Sequence, residues 1–272
     1  MKTPLSIVIG IDSNFLNKFD ETIKAKFDFL KDLDYTGVEL ALLRPEDIPV
    51  DKINAYLESY NMKISAIGTG STFLRYGYSL SAIDDKMREK AIKRMDLYCK
   101  LASELIGNPK VILGLIRGRR SYNQNQESEI TLFKKSLSLV DEIAEKYNIE
   151  LVIEPINQFE IDFLHTLSEV VDLLQEVNLS STFAMIDSFH VYLEEDSESF
   201  YQNLEKYAPY IHHVHFAGPD RRAMKAGEID YEKIIHTLFN NSYGGFFSIE
   251  AIMKPSFESV AKQSSEYISN IF

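Results

Sequence analysis

Eight short apolar runs, each followed by a longer stretch with helical spacing, constrain this chain more than any other feature. The runs are "LSIVIG" (5–10), "GVELALL" (37–43), "KISAIG" (63–68), "KVILGLI" (110–116), "ELVIEP" (150–155), "TFAMID" (182–187), "HHVHFA" (212–217) and "GFFSIEA" (245–251). Between them apolar residues return every three or four positions. Ile130, Phe133, Leu137, Val140, Ala144 and Tyr147 make one stripe of a helix, and Ile23, Phe27 and Leu30 make another. Asn148 stands where a helix stops before the next strand, in a role that favours left-handed backbone. Strand–helix alternation predicts a parallel sheet. Eight such units in 272 residues, 34 per unit, predict an α/β protein, a closed (β/α)8 TIM barrel, as one domain over 1–272. Two long connections stand out, 69–84 after the third run and 117–128 after the fourth.

Composition narrows the partners. The net charge of −12 disfavours a nucleic-acid backbone, which is bound through clustered Lys and Arg, but leaves room for a small anion in a local basic pocket. The single cysteine, Cys99, allows no internal disulfide and no cysteine metal site, and its helical context reads as a small buried hydrophobe. No stretch approaches the roughly 20 apolar residues of a membrane span. The early run at 7–9 is too short for a signal peptide, so the expected location is the cytoplasm.

In a barrel of this kind the chemistry sits at the carboxyl ends of the strands. The fifth run ends on Glu154, the sixth on Asp187 and the eighth on Glu250, while the seventh carries His213 and His215. From Glu154 to Asp187 to His215 to Glu250 the steps are 33, 28 and 35 residues, each close to one repeat. Four ionisable groups therefore converge on one mouth. Buried carboxylates are costly unless compensated, and three together repel one another. One divalent metal relieves both problems. Three oxygens and one imidazole suit Mn²⁺ first, with Mg²⁺ or Co²⁺ as alternatives and Zn²⁺ less suited. Any one of these residues taken alone reads more simply as a cap or an ion-pair partner.

The remaining histidines divide by position. His213 and His215 share one strand face and His212 takes the other. His215 lies nearer the carboxyl end and is the better ligand; His213 is expected in the core and His212 toward the helices. His190, three residues past Asp187, either reaches a substrate oxygen or caps the next helix. His165 and His236 lie in helical patterns and read as structural. Arg117, Arg119 and Arg120 follow the fourth run, and Arg221 and Arg222 the seventh. They serve either to hold a substrate carboxylate or phosphate through a planar fork, Arg117 first, or to pair with acids at the rim.

Glu154, Asp187-x-x-His190, His215 and Glu250, with Arg221 six residues after His215, resemble the ketose 3-epimerases of the xylose-isomerase-like barrels, the tagatose and psicose 3-epimerases among them. "AIGTG" (66–70), "GLIRGRR" (114–120) and "VIEPINQFEIDF" (152–163) are similar to the 5-keto-L-gluconate epimerase group. The resemblance implies metal ligation by Glu154, Asp187, His215 and Glu250, proton exchange with substrate by Glu154 and Glu250, and substrate contacts from Glu160, His190 and Arg221. It implies a homo-oligomer, dimer or tetramer, acting at carbon 3 of a ketose or keto-sugar acid through a cis-enediolate. Tagatose-type members carry an acid three positions after the metal-binding histidine; here Gly218 stands there, with Asp220 nearby. An aldose–ketose isomerase and a non-catalytic sugar-binding barrel are the alternatives. The three-metal DNA-repair endonucleases of this barrel need histidines after strands two to four, and no histidine precedes His165.

Overall fold

Eight parallel strands close on themselves in sequence order: β1 (Leu5–Ile11), β2 (Gly37–Leu42), β3 (Lys63–Gly68), β4 (Lys110–Leu113), β5 (Leu151–Ile153), β6 (Thr182–Asp187), β7 (Ile211–Phe216) and β8 (Phe247–Ile249). The last strand meets the first, Leu5 lying opposite Phe247. The computed structural model describes residues 4–119 and 126–271. All eight apolar runs are strands, and the architecture is the predicted (β/α)8 barrel.

Helices cover the outside because each offers one apolar stripe. Ile23, Phe27 and Leu30 of the helix Phe19–Lys31 are fully buried, as are Phe133, Leu137, Val140 and Ala144 of Gln126–Tyr147. Burying such a side chain is worth about 1.5–3 kcal/mol, so these stripes hold the helices against the strands. Asn148 takes φ 55° at the helix end, and Cys99 is buried within Asp85–Glu104, where burial pushes its thiol up to about 12. A much smaller cluster, Ala66, Ile112, Val152 and Met185, forms a separate apolar group contributed by β3, β4, β5 and β6.

Three local outcomes differ from expectation. The fourth run is strand only to Leu113; Gly114 turns the chain and Leu115–Arg117 forms a 3₁₀ turn. The connection 69–84 is not all loop, since Gly70–Tyr76 is helical and crosses the carboxyl-end mouth beside that turn. His165 lies just ahead of the helix Leu167–Val177 rather than within one. Arg120 falls outside the described residues. No helix among the described residues is long and apolar enough to cross a membrane.

Candidate metal centre

Strand register brings the four expected ligands together. Asp187, the last residue of β6, lies directly opposite His215 of β7. Glu154 follows β5 at once and donates its backbone N–H to Leu113 O (3.3 Å); Glu250 follows β8 and donates its own to Phe216 O (3.1 Å). One ligand atom from each of the four side chains falls within 4.8 Å of the other three. His215 Nδ1 stands 3.5 Å from Glu154 Oε1, 3.8 Å from Asp187 Oδ2 and 3.4 Å from Glu250 Oε2.

Three of these atoms are buried and short of donors, while Glu250 Oε2 is partly exposed and meets Arg221. Glu154 Oε1, Asp187 Oδ2 and His215 Nδ1 have no hydrogen-bond partner among the described residues. An unpartnered buried polar atom costs about 1–3 kcal/mol, more when charged, and here three face one another. Burial pushes the Asp187 carboxyl well above the usual range, and the Glu250 charge pushes it further. Burial opposes charge on His215, yet the surrounding carboxylates, Glu39 and Glu250 foremost, raise it well above an ordinary imidazole. Burial also works against the Glu250 charge, but His215 and Arg221 hold that carboxyl down at about 2. The donor set, three carboxylates and one imidazole nitrogen, fits a hard divalent cation.

The local chain explains each placement. Asp187 Oδ1 caps the helix Ser188–Glu194 by accepting from Phe189 N (2.7 Å), which leaves Oδ2 for the centre. Gly114 makes room for Glu154, because a Cβ there would sit 2.7 Å from Glu154 Oε2. Gly218 opens a tight turn, accepting from Arg221 N (2.8 Å) and donating to Arg222 O (2.7 Å). That turn sets Arg221 at φ 55°, with its guanidinium 2.8 Å from Glu160 Oε1 and 3.4 Å from Glu250 Oε2. A Cβ at Gly218 would come within 3.1 Å of Ala223 O and of Asp220 Oδ1, so the turn opposes a larger side chain, the expected acid included. Asp220 does not substitute: it is exposed and binds Arg222 N and Lys225.

His190 is in the first turn of the helix Ser188–Glu194, and it is buried. Its Nδ1 accepts from the Asn157 side-chain amide (2.6 Å); Phe159 N donates to Asn157 Oδ1 and fixes the orientation of that amide. The remaining proton of neutral His190 is then on Nε2, 3.9 Å from Glu154 Oε1. Burial, with Arg221 nearby, lowers His190 to about 4, so the ring is neutral at pH 7. Glu154, Glu160, His190, His215, Arg221 and Glu250 all line one cavity of about 290 Å³.

Arg117 does not line it. Expected at a substrate, Arg117 is fully buried and donates to the backbone carbonyls of Glu154 and Leu164 (3.1 Å), lying over the Phe163 ring. The 3₁₀ turn after Gly114 folds it beneath the mouth, where it pins the end of β5. Arg119 is exposed and donates to Glu160 O (2.8 Å). His213 is buried as expected, but it is not surrounded by apolar groups alone: its Nε2 lies 2.9 Å from Glu39 Oε2. Glu39, in mid-strand on β2, is the residue that strand-end reasoning missed. Its carboxylate also meets His215 Nε2 at 3.0 Å from both oxygens. Asn157 was missed as well, although "EPINQFE" places it within three residues of both Glu154 and Glu160.

The family model described as xylose isomerase-like TIM barrel matches residues 27–271. Among curated proteins, the L-ribulose 3-epimerase of Methylomonas sp. (strain DH-1) is 25% identical over 220 residues, 80% of this chain and 74% of that one. The 3-dehydro-D-guloside 4-epimerase of Escherichia coli (strain K12) is 19% identical over 240 residues, 85% of this chain and 88% of its own. A solved L-ribulose 3-epimerase structure superposes with a TM-score of 0.83 at 18% identity, covering 99% of this chain and 94% of that one.

Proposed function

Because the chain belongs to the xylose isomerase-like TIM barrel family and its named relatives are sugar epimerases, we propose that it is a divalent-metal-dependent isomerase inverting carbon 3 of a ketose. The observation that carries the reading is the set of orphaned atoms, Glu154 Oε1, Asp187 Oδ2 and His215 Nδ1, converging with Glu250 at the floor of a sugar-sized cavity. In both relatives' names the inverted carbon adjoins a carbonyl, which makes its proton removable.

Glu154, Asp187, His215 and Glu250 hold the cation, with Mn²⁺ first. When bound, it supplies Lewis-acid polarisation of the carbonyl and makes the neighbouring C–H acidic. Glu154 and Glu250 are the acid/base pair: one removes the carbon-3 proton to give a cis-enediolate and the other returns a proton to the opposite face. Two bases achieve inversion without turning the intermediate over. The neutral His190 offers its Nε2–H and Arg221 its guanidinium to the oxygen that gains charge. Glu160 aims Arg221 and closes the same side of the cavity.

A neutral ketose leads over a keto-sugar acid. Among the described residues expected to hold a carboxylate, Arg117 is committed to backbone carbonyls, Arg119 donates to Glu160 O, Arg221 pairs with Glu160 and Glu250, and Arg222 is exposed and does not line the cavity. The same reading carries the expected dimer or tetramer, which light scattering measures.

The test is a panel of ketoses and keto-sugar acids run with Mn²⁺ in heavy water and read by NMR. The reading expects deuterium at carbon 3 with appearance of the 3-epimer, arrest by chelation, and recovery with Mn²⁺ or Co²⁺. Deuterium at carbon 1 with an aldose product would replace it by the isomerase reading. Binding without exchange across the panel would leave a sugar-binding barrel.

A further inference from the structure

Glu39 is a charge in the middle of a buried strand, and its side chain is almost wholly enclosed. A carboxylate so placed is tolerated only where donors meet it. The two imidazoles of β7 do: His213 Nε2 at 2.9 Å and His215 Nε2 at 3.0 Å. A carboxylate accepts, so each imidazole presents Nε2–H to it. For a ligand-ready, neutral His215 this leaves the lone pair on Nδ1, the atom that faces Glu154, Asp187 and Glu250.

The strands are irregular where this contact is made. The β2–β3 pairing slips by one residue between Val38 and Leu40, at Glu39 itself. The β6–β7 pairing slips between Ala184 and Met185, at His212, just ahead of the histidine pair. Bulges re-aim side chains: the extra residue of the first lies on β3, where Ser65 and Ala66 face Glu39, and that of the second is His212 on the strand of the imidazoles. The two rings meet edge to face, centroids 5.1 Å apart, so His213 braces the carboxylate from beside His215.

We propose that Glu39 and His213 are positioning residues of the metal centre: Glu39 fixes the proton of His215 on Nε2 and so aims its Nδ1 at the cation, and His213 holds Glu39 in place. The inference rests on the metal reading of the same site. It extends the centre by a layer behind His215, on the face away from Glu154, Asp187 and Glu250.

The test uses the full chain with Mn²⁺ binding by calorimetry, and histidine ¹⁵N NMR of the Mg²⁺-loaded protein to locate the ring proton. Wild type is expected to bind one Mn²⁺ and to show His215 protonated on Nε2 alone. Glu39→Gln is expected to weaken Mn²⁺ about 10–100-fold, the usual effect of removing a carboxylate behind a histidine ligand, and to mix the two ring tautomers. Glu39→Gln binding within about twofold of wild type, with the ring proton unmoved, overturns the proposal and leaves the metal reading standing. Two Mn²⁺ per chain, one lost in Glu39→Gln, also overturns it, because Glu39 is then a ligand of a second ion. No binding of Mn²⁺, Mg²⁺ or Co²⁺ by wild type overturns both readings. Should Glu39→Gln not fold, His213→Gln is read the same way: weaker Mn²⁺ with a shifted His215 proton supports the brace, and unchanged values overturn it.

Discussion

The two mouths of the barrel each hold a histidine beside a glutamate in a cavity, and they are built on opposite principles. At the amino-terminal mouth Glu150 receives His212 Nδ1 at 2.7 Å and Lys110 Nζ at 2.5 Å, while His212 stacks on Phe183 with ring centroids 3.7 Å apart. The His212 hydrogen bond, aided by Lys110 against the push of burial, holds the Glu150 carboxyl at about 2. At the carboxyl-terminal mouth Glu154 Oε1, Asp187 Oδ2 and His215 Nδ1 lack any hydrogen-bond partner among the described residues. The paired end has the larger cavity, about 400 Å³ against 290 Å³. Cavity size therefore does not set the carboxyl-terminal mouth apart; a surplus of acceptors over donors does.

The largest expected effect tests the surplus directly. Glu154→Gln or Glu250→Gln should cut carbon-3 proton exchange by about 10²–10⁴-fold, the range for removing a positioned acid or base, as read by deuterium uptake. Wild-type exchange in either variant refutes its assigned role. Arg117→Ala should lower unfolding free energy by about 2–4 kcal/mol in chemical denaturation, since it leaves the carbonyls of Glu154 and Leu164 without their donor and opens a void. A loss confined to activity, with stability intact, would return Arg117 to the substrate. Gly114→Ala should fold normally yet bind Mn²⁺ about tenfold more weakly by calorimetry, because its Cβ displaces Glu154 Oε2. The smallest effect belongs to the paired mouth. Glu150→Gln should lose less than about 1 kcal/mol by thermal unfolding at pH 7, the scale of partly exposed ion pairs. The folded carboxyl lies below its ordinary 4.5, so the stabilisation is present above that value and fades as pH falls toward 2. The two proteins should therefore converge in acid.

The barrel was readable because both periodicities are local: apolar runs for strands, three-and-four spacing for helices. The convergence of Glu154, Asp187, His215 and Glu250 was readable because one repeat separates each from the next, so sequence distance stood in for register. Glu39 broke that correspondence. It lies in mid-strand, and its partners His213 and His215 come from the far side of the barrel, 174 and 176 residues on, with no spacing to announce them. Arg117 was misread for a different reason. Its neighbours Arg119 and Arg120 made it look like part of a basic rim, whereas the turn after Gly114 carries it under the rim. The same shortening of β4 was hidden because "GLI" continues the apolar run past the true strand end.

Asp187 divides its two oxygens between two neighbours: one starts the helix that bears His190, and the other faces the centre. The beginning of that helix and the floor of the cavity are thus a single mechanical part. An insertion or deletion between Asp187 and His190 would swing the imidazole away from Glu154 while unseating the cap, so this rim can vary downstream of Glu194 but not at its root.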